Sequence, residues 1–271
     1  MAQEGAYIIA AGKTGGHIFP GLALAQEIRK RRPQASIVFV GTAGGLEERL
    51  VPEAGFPLEL VQASGFVGKG PRGKLDALRR LPTGFLQARR VLRRHRARVV
   101  AGMGGYVIVP VLAAARSLKI PTLVHDSDAL PGVASRLTNR FATRTAVGVD
   151  EANRHLPRPG VVTGTPVRPE FFSVPALESA SATQRLLVFG GSQGSAVINR
   201  AMACAAPLLA GGRLQVVHQT GQRQLASTRA GYGSVPGGWR ARVVRQRPKA
   251  APCCPYRRKP RSDHPARRRH T

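Results

Sequence analysis

The sequence predicts an α/β protein built on a doubly wound parallel sheet with helices on both faces. Short apolar runs alternate with longer segments of helical pattern along the first 230 residues. Glycine-rich turns follow several of these runs, and the strand, turn and helix pattern starts twice, at residue 7 and again at residue 185. Ligands of such sheets bind beyond the carboxyl ends of the strands, so these turns are where we expect a site.

The first predicted strand, Tyr7 to Ala10, leads into a glycine-rich turn at residues 12 to 16 and then into a helix. Glycines let the backbone approach a ligand closely, and the N–H groups that begin a helix attract negative charge. His17 lies in the middle of the stretch from residue 11 to residue 20, and imidazole is the side chain that commonly moves a proton near neutral pH, so His17 is a candidate for that role. A Walker P-loop is excluded because its first glycine would fall on a tyrosine inside the strand. A plain strand-to-helix turn is the alternative.

The other predicted elements of the first half follow in order. Strands are expected at residues 37–40, 58–61, 99–101 and 121–125, and helices at residues 46–54 and 107–118. A second glycine-rich turn occupies residues 102 to 105. Between residues 69 and 90, leucines are interleaved with arginines, which suits an anionic membrane surface. A solvated helix whose leucines face the core is the alternative.

A polar cluster, His125-Asp126-Ser127-Asp128, ends the strand at residues 121–125. Its composition resembles a metal site, but strand tips in open α/β sheets collect polar ligand-binding groups without any metal, and we predict none. Three cysteines, at positions 204, 253 and 254, match neither a disulfide framework nor a zinc spacing.

The second half repeats the pattern after a polar crossing at residues 173 to 184. A strand at residues 185–189, a glycine-rich turn at residues 190 to 195, a helix at residues 196–209 and a strand at residues 214–218 follow. The two starts predict two Rossmann-like domains facing a cleft, over residues 1–163 and 164–231. Neither turn spells G-x-G-x-x-G, so nothing calls for NAD, and no cofactor is predicted.

Charge is concentrated at the end of the chain. The net charge is +28, and residues 240 to 271 hold 12 Lys and Arg against a single acidic residue, with five prolines. This composition predicts a disordered basic tail over residues 232–271, either a nucleic-acid or anionic-lipid tail or a segment without an evolved role. No apolar run is long enough to span a membrane and no secretory signal begins the chain, so a cytoplasmic protein is expected.

Six short motifs in one order carry a resemblance to a known family. They are Thr14-Gly15-Gly16-His17 with Pro20-Gly21, Gly102-Met103-Gly104-Gly105-Tyr106, His125 with Pro131-Gly132, Gly164-Thr165-Pro166-Val167-Arg168, Gly190-Gly191-Ser192-Gln193-Gly194 and His218-Gln219-Thr220-Gly221. From residue 7 to about residue 230 the chain resembles the MurG family of bacterial glycosyltransferases, which add N-acetylglucosamine to lipid I to make lipid II in peptidoglycan synthesis. The resemblance implies a GT-B fold, UDP-N-acetylglucosamine as donor, and a peripheral position on the cytoplasmic face of the plasma membrane.

The resemblance also implies roles for individual residues. Inverting transfer needs a base for the acceptor hydroxyl, and His17 is the candidate. Arg168 can hold phosphate or donor oxygens through two N–H groups. The departing diphosphate is expected at the helix start beside Ser192. The predicted donor-binding residues are Thr14, Gly15, Gly16, Asp128, Arg168 and Ser192, with Gly190, Gly191, Gln193 and Gly194 as the phosphate loop. Residues 1–163 would bind the acceptor and the membrane, and residues 164–231 the donor.

The chain departs from the family in three places. Lys13 stands where the first loop usually has glycine, and Asp128 stands where an asparagine is expected to contact the donor. The family also continues well beyond residue 230 with further strands and helices, whereas here the α/β pattern stops near Tyr232, as translation in a shifted reading frame would produce. An incomplete second domain predicts impaired or absent transfer.

Two other classes of function stay open at this point. One is a non-catalytic module that binds nucleotide or anionic lipid. The other is a basic nucleic-acid binder, which is disfavoured because only 5% of residues are aromatic and no nucleic-acid motif is present.

Overall fold

The computed structural model describes residues 5–63, 65, 70–173, 184–191, 194–209, 214–233 and 241–244, with residues 71–80 and 241–244 as backbone only. It divides into two compact units, the first ending at Pro169 and the second beginning at Glu170.

The first unit alternates strands and helices from its start. Its strands are β1 (Tyr7–Ala10), β2 (Ile37–Gly41), β3 (Leu58–Leu60), β4 (Val99–Gly102), β5 (Thr122–Asp126), β6 (Arg144–Val147) and β7 (Val161–Val162). Its helices are α1 (Gly15–Arg31), α2 (Glu47–Glu53), α3 (Pro71–Arg94), α4 (Ile108–Ser117) and α5 (Val133–Asn139), with a 3-10 helix at Asp150–His155. No helix within the described ranges is both long and apolar enough to cross a bilayer.

All seven strands form one parallel sheet in the order β3-β2-β1-β4-β5-β6-β7. The chain runs outward from β1 to β3, then crosses back and continues outward from β4 on the other side. The order therefore reverses between β1 and β4, and this switch point is where open α/β sheets bind their ligands. The predicted parallel, doubly wound α/β architecture is confirmed.

The core of the first unit lies on both faces of this sheet. Neighbouring residues of a strand point to opposite faces, so Ile8 belongs to one buried cluster and Ile9 to the other. The Ile9 cluster includes Ile18 and Leu22 of α1. The Ile8 cluster contains side chains of α3 and α4: Ala88, Val91, Leu92, Ile108, Val111 and Leu112. Helices thus cover both faces, as the apolar strands require.

The segment after β7 is held by the first unit. The Thr163 N–H donates to the Val147 carbonyl at 3.0 Å, and His125 Nε2 lies 3.1 Å from the Gly164 carbonyl oxygen. These bonds explain why the compact unit extends to Pro169, whereas the sequence prediction ends the first domain at residue 163.

The second unit begins with β8 (Gln184–Phe189), α6 (Ala196–Leu209) and β9 (Leu214–Gln219). It continues with α7 (Leu225–Gly233) and β10 (Ala241–Val244), and the three strands pair in parallel in the order β10-β9-β8. The prediction that order ends near Tyr232 is wrong at β10, because four backbone positions there pair with Val216 to Gln219 of β9. Four residues within an arginine-rich stretch are too few to show a strand period. The rest of the predicted tail lies outside the described residues.

A buried polar pair joins β9 to α7. His218 Nδ1 lies 2.8 Å from the Tyr232 hydroxyl, and the two rings meet edge to face with their centroids 5.8 Å apart. His218 is fully buried and Tyr232 is 8% exposed. Burial lowers the pKa of the His218 imidazole and raises the pKa of Tyr232 to about 12, so both groups are neutral at pH 7.

We expect the free energy of unfolding to fall as the pH drops below 6.5, the ordinary pKa of histidine. The unfolded chain then takes up a proton that the buried His218 resists, so stability rises with pH through this range, by at most about 1.4 kcal/mol per pH unit. Urea unfolding of the full chain between pH 5 and pH 8 measures the slope. His218→Asn should flatten it relative to wild type, and His155→Asn, at an exposed histidine, is the matched control. Equal slopes in all three proteins would contradict the assignment to His218.

Candidate active site

The loop between β1 and α1 is shorter than the sequence predicts. α1 begins at Gly15, so His17 lies in the first turn of the helix and not in the turn before it. Thr14 precedes the helix with an extended backbone (φ −124°, ψ 153°). Its backbone carbonyl oxygen accepts hydrogen bonds from the N–H groups of His17 and Ile18 at 3.1 Å each. The first N–H groups of a helix have no partner within it, so Gly15 and Gly16 present theirs at the carboxyl end of β1.

Two oxygens fix the ring of His17. Its Nδ1 lies 3.1 Å from the Gly12 carbonyl oxygen and 3.2 Å from the Thr14 hydroxyl oxygen. A carbonyl oxygen only accepts, so the bond to Gly12 places the proton of the neutral ring on Nδ1. Nε2 then carries the lone pair, which is the state a general base needs.

The second glycine turn packs directly on this histidine. A Cβ added at Gly104 would overlap His17 Cδ2, and one at Gly105 would lie 2.9 Å from the Gly12 carbonyl oxygen. Both glycines have positive φ, 106° and 79°, which side-chain-bearing residues rarely adopt. The turns after β1 and β4, predicted separately from sequence, therefore meet at the switch point.

Sequence reasoning missed a buried carboxylate beneath the first loop. Glu47, the first residue of α2, is fully buried, and its Oε2 accepts from the Lys13 N–H at 2.8 Å. Lys13 has φ 76°, the left-handed region, at the position where the family usually has glycine. In the sequence, the only sign of this buried carboxylate was an acidic residue at the start of a predicted helix. That sign is weak, because acidic residues commonly begin helices for their interaction with the helix dipole.

A cavity of about 170 Å³ opens beside these loops. It is lined at the carboxyl ends of β1, β2 and β4 by residues that include Gly12, Lys13, Thr42, Gly44, Tyr106 and Val107. Lys13 is exposed and its ammonium suits an anionic ligand here, whereas the N–H groups of Lys13, Thr42 and Gly44 already donate to Glu47 or Glu48.

The polar cluster at the carboxyl end of β5, residues 125 to 128, organises the loop that follows the strand. Asp126 accepts from the backbone N–H groups of Asp128 at 3.0 Å and Gly132 at 3.2 Å, and His125 Nε2 donates to the Gly164 carbonyl. No cluster of three or more His, Cys, Asp or Glu side chains that could hold a metal occurs among the described residues. The Asp128 side chain is exposed at the end of the sheet.

Arg168 reaches the same helix as His17. Its guanidinium carbon lies 4.8 Å from the centre of the Phe19 ring, a cation–π geometry on the first turns of α1. The structure therefore brings together Thr14, Gly15, Gly16, His17 and, through Phe19, Arg168.

The glycine turn of the second unit joins β8 to α6. Gly191 and Gly194 have φ of 82° and 75°, and the Gly194 N–H donates to the Gly191 carbonyl at 3.0 Å. Ser195 Oγ accepts from the Ile198 N–H at 3.4 Å, as a capping serine does. Ser192, a predicted donor-binding residue, and Gln193, a residue of the predicted phosphate loop, lie outside the described residues.

Asn199, which sequence reasoning also missed, ties this turn's helix to the loop after β9. Its Nδ2 donates to the Thr220 carbonyl at 3.0 Å and to Gln224 Oε1 at 2.7 Å. Asn199 is 3% exposed, so these two bonds replace the water that the NH₂ group of the amide has lost.

Comparison with known proteins gives consistent matches. The glycosyltransferase family 28 N-terminal domain matches residues 7–147, and the family 28 C-terminal domain matches residues 185–237. Two relatives named UDP-N-acetylglucosamine--N-acetylmuramyl-(pentapeptide) pyrophosphoryl-undecaprenol N-acetylglucosamine transferase, from Pelobacter propionicus and Anaeromyxobacter dehalogenans, are 41% and 45% identical over 88% and 83% of this chain. The chain spans 69% and 60% of their lengths. The crystal structure of Acinetobacter baumannii MurG is 27% identical with a TM-score of 0.68, covering 89% of this chain and 67% of that one.

The first unit is a parallel sheet with a histidine at its switch point, and the second unit repeats the pattern of strand, glycine turn and helix. Together with these matches, the two units define a glycosyltransferase of the GT-B fold type. The chain belongs to glycosyltransferase family 28 and, within it, to the MurG family. The predicted family and fold class are confirmed.

Proposed function

We propose that this chain transfers N-acetylglucosamine from UDP-N-acetylglucosamine to the muramyl sugar of lipid I, with inversion, giving lipid II. The observation that carries the proposal is the His17 ring at the switch point, with Nδ1 bonded to the Gly12 carbonyl and Nε2 left to accept a proton. In the proposed step, Nε2 takes the proton of the acceptor hydroxyl as its oxygen attacks the anomeric carbon, and UDP departs with the electron pair of the broken bond. General-base help of this kind contributes roughly 10²–10⁴ in rate.

Donor binding is proposed for two sets of residues. Gly15 and Gly16 offer backbone N–H groups at the start of α1, Thr14 offers its hydroxyl, since its own N–H donates to the Gly12 carbonyl, and Arg168 adds a guanidinium over Phe19. In the second unit, the start of α6 and its glycine turn provide a phosphate site, with Ser192 assigned by the family resemblance alone. Asp128 differs from the family's asparagine because an ionised carboxylate accepts hydrogen bonds and repels phosphate.

The acceptor side is proposed to lie on an anionic membrane surface. α3 carries Leu86, 56% exposed, beside exposed arginines at positions 90, 93 and 94. Apolar and cationic side chains on one helix suit a layer of anionic head groups, which favours a peripheral position at the cytoplasmic face of the membrane, where a lipid-linked acceptor is available.

Incorporation of labelled N-acetylglucosamine from its UDP donor into a lipid I analogue tests the proposal on the full chain. We expect product that depends on both substrates and is retained in the lipid phase. A folded chain that binds anionic vesicles and UDP-N-acetylglucosamine without any transfer would support the non-catalytic binding module instead. Binding to nucleic acid that weakens steeply as the salt concentration rises, without vesicle or donor binding, would support the basic nucleic-acid binder.

A further inference from the structure

Glu47 is a carboxylate enclosed by two loops. It is fully buried, and its Oε1 accepts from the N–H and the hydroxyl of Thr42 at 3.0 and 3.1 Å. Its Oε2 accepts from the Lys13 N–H at 2.8 Å. A Cβ added at any of three surrounding glycines would crowd its side chain; these are Gly12, Gly41 and Gly45. One carboxylate therefore joins the loop after β1 to the loop after β2.

The bond to Lys13 holds the backbone in a conformation that lysine does not favour. With φ 76°, Lys13 is in the left-handed region, where a side chain other than glycine is strained. Such strain persists only where surrounding contacts determine the conformation, and the charge-assisted N–H bond to Glu47 is such a contact.

The peptide group between Gly12 and Lys13 also contacts the ring of His17. The Gly12 carbonyl that receives Nδ1 is the group bonded covalently to the Lys13 nitrogen, so the two hydrogen bonds share one peptide plane. Turning the Lys13 peptide away from Glu47 turns the Gly12 carbonyl away from His17. The orientation of that plane therefore favours one tautomer of His17, beside the Thr14 hydroxyl, which also lies within hydrogen-bond distance of Nδ1.

We propose that Glu47 is a positioning residue: its carboxylate fixes the Gly12–Lys13 peptide, and this peptide keeps His17 in the tautomer that presents the Nε2 lone pair to the acceptor. The inference deepens the proposed function, since it concerns the same histidine. It also explains how a lysine is accommodated at a position that usually holds glycine.

Glu48 provides a matched control within the same turn. It is exposed, and its carboxylate accepts from the Gly44 N–H at 2.9 Å without reaching the loop after β1. Both residues are acidic and both begin α2, so a substitution at either has a comparable effect on the helix dipole. Only Glu47 is expected to affect His17.

The test is ¹⁵N NMR of the histidine rings in the full chain at pH 8. The chemical shifts of Nδ1 and Nε2 distinguish the two neutral tautomers. The signals of His17 are assigned by their loss in His17→Asn. Wild type should show Nδ1 protonated. In Glu47→Gln, the amide presents an N–H donor to either Lys13 or Thr42, so we expect the population of the Nε2-protonated form to rise several-fold. Glu48→Gln should match wild type.

Rescue separates positioning from a general loss of structure. Glycine adopts positive φ without help, so Lys13→Gly in the Glu47→Gln background should return the Nδ1-protonated signature. An unchanged His17 spectrum in a folded Glu47→Gln protein overturns the proposal, and so does a changed spectrum that Lys13→Gly fails to restore. If Glu47→Gln does not fold, Thr42→Val replaces it, because it removes one of the hydrogen bonds that hold the Glu47 carboxylate. Its His17 spectrum should shift toward the Nε2-protonated form, and a spectrum equal to that of wild type overturns the proposal.

A second readout depends on activity. If the chain transfers sugar, Glu47→Gln should lower kcat by about tenfold with the donor KM unchanged, since misplacing a catalytic group lowers the rate rather than donor binding. Absence of transfer in wild type would contradict the proposed function but leave the NMR comparison decisive for Glu47.

Discussion

Replacing His17 with alanine should lower the transfer rate by a factor of about 10²–10⁴, the usual contribution of a general base. The physical reason is the loss of the only group that the β1 and β4 turns place at the switch point with an orientated proton acceptor, as far as the described residues show. Steady-state assays of labelled sugar transfer into a lipid I analogue measure the loss, and it should appear in kcat and in kcat/KM alike.

The matched control is His155→Ala, at an exposed histidine of the 3-10 helix, which should transfer at the wild-type rate. Calorimetric titration with UDP-N-acetylglucosamine should give similar affinities for wild type and His17→Ala, because the imidazole acts on the acceptor. A His17→Ala protein that retains full activity would rule out His17 as the base.

Substituting Gly194 with alanine should destabilise the second unit by about 3 kcal/mol or more, combining left-handed strain of about 1–2 kcal/mol with overlap in a packed site. Gly194 has φ 75°, and a Cβ there would overlap the carbonyl oxygen of Thr220, which is backbone and therefore cannot rotate aside. The overlap would push the glycine turn away from the loop after β9, so we also expect weaker donor binding.

Gly191→Ala separates the two contributions. Its φ of 82° is similar, but a Cβ at Gly191 meets no atom within 4 Å, so only the backbone strain of about 1–2 kcal/mol should remain. Urea unfolding curves for the two variants provide the comparison. Equal destabilisation would mean that the turn and the loop after β9 are not in the close contact described.

The sequence predicted the elements that recur with clear periodicity and the loops that carry glycine. It placed β1, β2, β4 and β5 close to their observed bounds, and it identified His17 as the candidate base. The order of strands, and with it the meeting of the two glycine turns, could not follow from periodicity, because local pattern contains no information on which strands are neighbours.

Glu47 and Glu48 illustrate what local pattern leaves undetermined. The two residues are adjacent and chemically identical, and both begin the same short helix. One is fully buried between two loops and the other is exposed. Only the packing of α2 against the loop after β1 distinguishes them, and that packing depends on contacts made across the sheet.

The position of β1 in the sheet also determines when the site can form during synthesis. β1 pairs with β4 in a register that joins Tyr7 to Val99, so the chain must emerge from the ribosome as far as residue 99, 92 positions beyond Tyr7, before the two strands meet. A nascent chain ending before Gly104 contains His17 and Gly12 but lacks the glycine turn on which the imidazole rests. Closing so long a loop between β1 and β4 is entropically costly and slow. The packing of the glycine turn against His17 therefore forms late, after β2 and β3 have been synthesised.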